Sequence, residues 1–317
     1  MDRIVSVALC TCNGERFLGE QLASLVGQTR LPSELVVCDD RSTDETIAIL
    51  ERFAATAPFP VHITVNAERL GPAANFAKAA ALCTGDIVLF CDQDDIWHED
   101  KMALEIAAIT KAERNVGTGI PVLVHGDLEV VAEDLTPLYP SFMRLMHPKF
   151  GLFDTSYILE NNVAVGCTMA VNRDLLKVAL PLPKEALMHD WWFAQCATCC
   201  GSIVYLDRPL MLYRQHHSNQ VGASAWLHRI AVALKSPRKQ WRTSIESLRA
   251  TVRQAKALES WLVGRNCTKQ PDRDAVSAYA GLLGGGSVSR LHRILRHRYG
   301  RAGRLGVPWF LLKAIFA

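Results

Sequence analysis

Val88-Leu89-Phe90-Cys91-Asp92-Gln93-Asp94-Asp95-Ile96-Trp97 begins as an apolar run and ends in three carboxylates within four residues. The apolar part reads as a buried strand, and the acids mark its carboxyl end. Carboxylates this close repel one another and cost desolvation energy unless a cation joins them. Oxygen ligands suit a hard divalent ion, Mg²⁺ or Mn²⁺, able to bridge protein to a diphosphate. A solvated acidic turn after a strand is the plainer reading of such a run. What surrounds it favours the metal.

Upstream of this stretch, strands and helices alternate. Residues 4–10 are rich in β-branched side chains and predict a strand. A Thr11-Cys12-Asn13-Gly14 loop leads to a helix over 15–26, with Phe17, Leu18, Leu22 and Leu25 at helical spacing. Residues 35–38 form the next strand, ending in Asp39-Asp40. Ser42 or Thr43 caps a helix carrying Ile47, Leu50 and Phe53. A strand over 61–65 and a helix over 73–82 complete the series before strand 87–91. The alternation predicts an α/β fold with a doubly wound, mostly parallel sheet, whose ligands sit beyond the carboxyl ends of the strands. Thr11 and Asn13, Asp40, and Asp92 with Asp94 fall at three such ends. No GxGxxG follows the first strand, which disfavours a dinucleotide fold.

The chain has 317 residues, half of them hydrophobic, enough for one large domain with an appendage. From 122 to 213 the alternation loosens. It reads as strand 122–131, a linker over 137–153, a segment 163–171, a helix over 191–200, and short strands 203–206 and 210–213. After 223 the chain becomes helical and basic, with a glycine loop at 281–286. Residues 1–225 carry 17 Lys and Arg against 28 Asp and Glu, a net −11; residues 226–317 carry 18 against 4, a net +14. We therefore expect a division at 225/226, with 1–121 and 122–225 as the two halves of the first part. Ten cysteines show no disulfide framework, the N-terminus shows no signal-peptide pattern, and no apolar run is long enough to span a bilayer. These features point to a reducing, cytoplasmic setting.

Several ordered blocks now carry a resemblance. They are residues 5–29 with Cys10-Thr11-Cys12-Asn13-Gly14, then Asp39-Asp40-Arg41-Ser42-Thr43-Asp44, then Thr84-Gly85-Asp86 and the Asp92 cluster. Together they resemble the opening of a family 2 glycosyltransferase of GT-A fold. His189-Asp190-Trp191-Trp192 and Tyr213-Arg214-Gln215-His216 extend the likeness to the rhamnosyltransferases of bacterial surface-polysaccharide synthesis, over roughly 3–223. Arg41 departs from the pattern, which usually has glycine there.

The resemblance implies roles. Thr11 and Asn13 would line the nucleotide pocket, Asp40 would accept from a pyrimidine imide, and Gly71 and Asn75 would approach nucleotide or sugar. Asp92 would touch ribose or donor sugar, and Asp94 would ligate the metal, completed by His216. Arg214 would meet the diphosphate. Asp190 would be the base that takes the acceptor hydroxyl's proton in an inverting transfer. Plainer alternatives stand beside these: Asp40 and Asp190 as helix caps, Asn75 as an ordinary polar helix residue, Asp95 as a helix N-terminal acid, His217 as surface and Asn219 as structural. Of Trp191 and Trp192, one is expected in the core.

The implied activity moves a sugar, with rhamnose from dTDP-rhamnose foremost, to a lipid-linked saccharide or polysaccharide. Rivals are a UDP-hexose or UDP-N-acetylhexosamine donor, or a silent nucleotide-sugar-binding scaffold. The basic tail lacks the aromatic interleaving of a nucleic-acid module. Arg290, Arg293, Arg296 and their neighbours, followed by the apolar 307–316, suit the inner face of a membrane as a peripheral contact.

Overall fold

The computed structural model describes residues 3–146, 154–216, 237–265, 270–300 and 306–317. One mixed sheet organises them. Strands β1 (Val5–Thr11), β2 (Glu34–Asp39), β3 (Val61–Val65) and β4 (Ile87–Cys91) are parallel, in the order β3-β2-β1-β4. The sheet continues with β8 (Met169–Asn172), β6 (Val122–Val131), β9 (Ser202–Arg214) and the short β5 (Ile96–Trp97), while β7 (Pro137–Tyr139) pairs with β6. β8 runs antiparallel to both β4 and β6, which joins the parallel half to the rest. Register places Thr11 beside Asp39 and Leu9 beside Cys91, so three strand ends open on one edge.

Period-two alternation sends successive side chains to opposite faces. Val7, Leu9, Leu35, Val37, Ile87 and Leu89 face α1 (Leu18–Val26), α2 (Thr46–Ala54) and α4 (Lys101–Val116). Ala8, Cys10, Val36, Cys38, Val88 and Phe90 face α3 (Pro72–Leu82) and α8 (His189–Cys200). Between β7 and α8 lie the short helices α5 (Phe142–Met146), α6 (Thr155–Glu160) and α7 (Arg173–Ala179).

Several expectations shift. No Ser42 or Thr43 cap forms on α2: it begins at Thr46, whose N–H and hydroxyl both donate to Asp44. The two short strands expected at 203–213 are one strand, β9, which passes Arg208-Pro209 through a register shift against β6. Cys200 is disulfide-bonded, so the all-thiol expectation fails there, while eight other cysteines are free.

The basic C-terminal part is helical: α9 (Pro237–Leu262), α10 (Gln270–Ala280), α11 (Ser287–His297) and α12 (Gly306–Phe316). The division at 225/226 lies outside the described residues. Among those described, the extension has no separate core. Leu248, Val252, Ala255 and Leu258 of α9, with Phe310 and Ala314 of α12, belong to the same buried cluster as Trp192 and Phe193. Trp261 packs edge-on against Trp192 and donates to the Val178 carbonyl at 2.8 Å. The apolar segment 307–316 is therefore partly core, with Phe310 and Ala314 turned inward. Among the described residues no helix is long and apolar enough to cross a membrane.

Candidate active site

At the end of β1, the Thr11 hydroxyl donates to Asp39 at 2.7 Å, and Ser42 donates to the same carboxylate through N–H and hydroxyl. Asp39 thus ties the β1 and β2 ends together, a role hidden by its neighbour Asp40. Asn13 adopts φ 50° and accepts from the Thr43 N–H at 2.8 Å, fixing the loop rather than reaching outward. Arg41 also lies in the left-handed region, at φ 60°. That explains why glycine suits this position: it adopts such a φ freely, and an arginine does so at a cost.

Asp40 accepts from Asn66 and the Leu70 N–H on one oxygen and from the Gly71 N–H on the other, at 2.7–2.9 Å. Its second oxygen keeps an acceptor position. Burial pushes against ionisation, but these three donors and nearby Arg69 hold the carboxyl below its ordinary range. Gly71, at φ 76°, precedes Pro72 and starts α3. Asn75 does not face the crevice: its amide accepts from Asn66 and donates to the Cys38 carbonyl, both at 2.8 Å. Its expected contact with nucleotide or sugar gives way to supporting Asp40 through Asn66.

Beyond β4, Gln93 accepts from Cys12 N–H at 2.8 Å and donates to the Cys12 carbonyl at 3.1 Å. This pairing clamps the acidic loop to the β1 loop, and Gly14 makes room for it: a Cβ there would lie 2.3 Å from Gln93 Oε1. Asp94 Oδ2 meets His216 Nε2 at 2.7 Å, and the His216 ring lies 4.9 Å from Phe17. Asp92 lies within electrostatic reach of both Asp94 and Asp190. Burial, then Asp94, then Asp190, push its carboxyl up to about 7. Asp95 is fully buried; burial and the charges of Asp94 and Asp92 raise it well above its ordinary value, although it accepts from the Arg214 N–H. The Cys167 Sγ and one carboxylate oxygen each of Asp92 and Asp95 lie within 4.8 Å of one another. Sequence reasoning did not single out this cysteine, because its apolar surroundings read as plain core.

Arg214 departs from expectation. Its guanidinium meets Glu20 at 2.6 Å, the Glu133 carbonyl at 2.6 Å and the Asp94 carbonyl at 3.1 Å, and stacks over Phe17. Instead of reaching out to a diphosphate, it fixes the backbone of Asp94. Asp190 opens α8 and is 5% exposed. It accepts from Gly166 N–H at 3.0 Å and Trp191 N–H at 2.6 Å, and bonds Asn162. Burial raises its pKa to about 6 despite those donors. His189 is held neutral by burial, with its pKa lowered to about 3, and stacks on Phe76 at 4.3 Å. Trp192 is the core indole; Trp191 is half-buried and donates to Ile158. His217 and Asn219 lie outside the described residues.

This arrangement can do two things. A hydrogen-bonded acid at the β2 end can take a ring N–H, and the β4 acids with His216 can take a hard cation. The donor set fits such an ion: oxygen and imidazole ligands converge, and the mutual repulsion that raises Asp92 and Asp95 is what a cation relieves.

A profile described as glycosyl transferase family 2 matches residues 6–178, more than half the chain. The chain belongs to glycosyl transferase family 2. This family 2 glycosyltransferase is 31% identical over 229 residues to the dTDP-rhamnosyl transferase RfbG of Shigella flexneri, covering 68% of this chain and 74% of that one. It is 24% identical over 176 residues to the Escherichia coli β-1,3-glucosyltransferase WfgD, named for UDP-Glc and a GlcNAc-diphosphoundecaprenol acceptor; the match covers 55% of this chain and 62% of that one. Among solved structures it resembles S. aureus TarS 1-349 (TM-score 0.56, 19% identity, 98% of this chain and 80% of that one). It also resembles the Pyrobaculum calidifontis mannosyltransferase PcManGT, solved with GDP-Man and Mn²⁺ (TM-score 0.54, 19% identity, 99% and 86%). These likenesses show the GT-A fold expected from the strand–helix alternation.

Proposed function

We propose that this glycosyltransferase carries out a metal-dependent, inverting transfer from a nucleotide-diphosphate sugar, with dTDP-rhamnose the leading donor, to a lipid-linked saccharide at the cytoplasmic face of the membrane. The observation that carries this reading is that Asp92 feels the charges of both Asp94 and Asp190, while His216 closes on Asp94 at 2.7 Å. A diphosphate-side charge centre and a candidate base would then stand on either side of the anomeric carbon.

Asp40 supplies the open acceptor position for a pyrimidine imide N–H. Asp92 would accept hydrogen bonds from hydroxyls of ribose or donor sugar. Asp94 and His216 would hold Mg²⁺ or Mn²⁺, which when bound offsets the charge developing on the departing diphosphate. Asp190 accepts the proton of the acceptor hydroxyl as its oxygen attacks the anomeric carbon. The bond to the diphosphate oxygen breaks on the opposite face, and the diphosphate leaves with the electron pair. The 31% identity with a dTDP-rhamnosyl transferase supports the rhamnose donor. A UDP-hexose is the second reading, favoured by the likeness to a UDP-Glc enzyme with a diphosphoundecaprenol acceptor. A silent scaffold is disfavoured because the carboxylates crowded at Asp92, Asp94 and Asp95 repel one another and cost stability in the absence of a cation.

The test is a donor screen. Purified protein with Mn²⁺ or Mg²⁺ is offered dTDP-rhamnose, UDP-glucose and UDP-N-acetylglucosamine, scored by thermal shift and slow donor hydrolysis. We expect dTDP-rhamnose to give the largest shift and turnover, abolished by EDTA and restored by metal. Full turnover in excess chelator refutes metal dependence, and a preference for UDP-glucose transfers the assignment to the second reading.

A further inference from the structure

We propose that the outward faces of α11 and α12 dock this protein on an anionic lipid bilayer. The inference deepens the membrane-surface reading above by naming the face, and it rests on that reading.

α11 is turned the opposite way from an ordinary surface helix. Its arginines at 290 and 293 point inward and are spent on backbone. Arg290 donates to the carbonyls of Leu283 and Ala314, and Arg293 donates to those of Gly281 and Gly284. Ile294 lies beside Arg290 on the same inward face, fully buried. At about 100° per residue, Val288, Leu291 and Leu295 fall within about 60° of one another on the opposite face. They are 82%, 40% and 58% exposed. α12 repeats the pattern. Phe310 and Ala314 are buried, while Leu312, Ile315 and Phe316 are 45%, 44% and 65% exposed. Arg290 links the two helices by reaching the α12 carbonyls, so both stripes belong to one packed unit.

Six large apolar side chains on two adjoining helices exceed the scattered exposure of an ordinary surface. Charge selects what covers them. The segment 226–317 carries a net +14, and exposed Arg296 borders the α11 stripe on one side, beyond the polar His292. Two such faces brought together as a dimer would repel. Anionic headgroups would instead meet Arg296 and the other basic residues of this segment while the stripe enters the acyl boundary.

The experiment is vesicle sedimentation of the full chain. Vesicles are phosphatidylcholine alone or with about one third phosphatidylglycerol. The test variant combines Val288→Ser, Leu291→Ser and Leu295→Ser; Leu82→Ser, an exposed leucine on α3, is the control. We expect the wild type and the control to bind the anionic vesicles. The triple variant should partition less by about tenfold per apolar side chain removed. Its melting and donor hydrolysis should match wild type, which separates failure of docking from failure of the transferase reading. If the triple variant does not fold, Leu295→Glu alone takes its place, with the same expected loss. Wild-type protein that ignores anionic vesicles overturns the proposal, as does a triple variant that binds them equally. A dimer in solution that the triple variant converts to monomer, without vesicle binding, assigns the face to a second copy and overturns it too.

Discussion

Replacing Asp190 by asparagine separates catalysis from stability, because the two respond in opposite directions. The carboxylate is 5% exposed and its pKa stands at about 6, against 3.8 for an ordinary aspartate, chiefly through burial. The protonated form is thus favoured by the fold. That contribution is fully present below pH 3.8 and is lost as pH rises through about 6. At neutral pH the ionised side chain costs the fold about 3 kcal/mol. Asparagine removes that cost. It also presents an NH₂ to one of the two backbone donors, Gly166 N–H or Trp191 N–H, and leaving that donor unmatched costs about 1–3 kcal/mol.

The net change at pH 7.5 therefore lies between about zero and 2 kcal/mol of stabilisation. At pH 3 the wild-type group is neutral in the folded and unfolded protein, and only the unmatched donor remains, so the variant becomes the less stable protein. Urea unfolding of metal-free protein at the two pH values measures this, and the variant-minus-wild-type difference should swing by about 3 kcal/mol. Turnover should fall by about 10²–10⁴-fold with donor affinity retained, and the acid limb of wild-type kcat/KM, expected near pH 6, should disappear. A stability difference that stays flat with pH, together with near-wild-type transfer, would refute both the buried-charge argument and the assignment of the base.

Three further substitutions probe the scaffold. Gly14→Ala drives a Cβ into Gln93 and breaks its double hydrogen bond with Cys12, so calorimetry should show nucleotide affinity weakened by about tenfold with the fold intact. Arg41→Gly relieves a left-handed φ and should raise Tm by about 2 °C; an unchanged or lower Tm would show that Arg41 earns its conformation through contacts. Lys101→Met strands Glu105, its fully buried partner at 2.8 Å, and should cost about 3–5 kcal/mol in urea unfolding. The double change with Glu105→Leu should recover most of it.

The parallel half of the sheet was legible because its signals are local. β-branched runs, helical spacing and acids at strand ends are properties of single segments, and β1 to β4 lie where those signals put them. Asp94 and His216 are far apart in sequence, and it was the family resemblance that joined them. What escaped was the direction in which polar side chains turn. Arg214 and Asn75 occupy site positions, yet their hydrogen-bonding groups are consumed by Glu20, Glu133, Asp94 and by Asn66, Cys38. No spacing rule reports how many of a side chain's donors the fold will claim. Asp39, Gln93 and Cys167 were missed for the converse reason: each works through partners 28 to more than 70 residues away, which only the register of the sheet brings near.

The C-terminal helices show the same limit in reverse. A periodic alternation of arginine and leucine specifies an amphipathic helix but not which face meets the protein. On α11 Arg290 and Arg293 turned inward because a guanidinium presents five donors. The turn at 281–285 and the end of α12 offer a cluster of carbonyls that those donors satisfy. Backbone acceptors left open at helix ends cost more than a few exposed methyl groups when water can reach the latter. The leucines were left outside as the smaller penalty. On the docking proposed above, that penalty would become a driving force once a second apolar phase is present, so the same inverted helix would serve the fold in water and the bilayer contact.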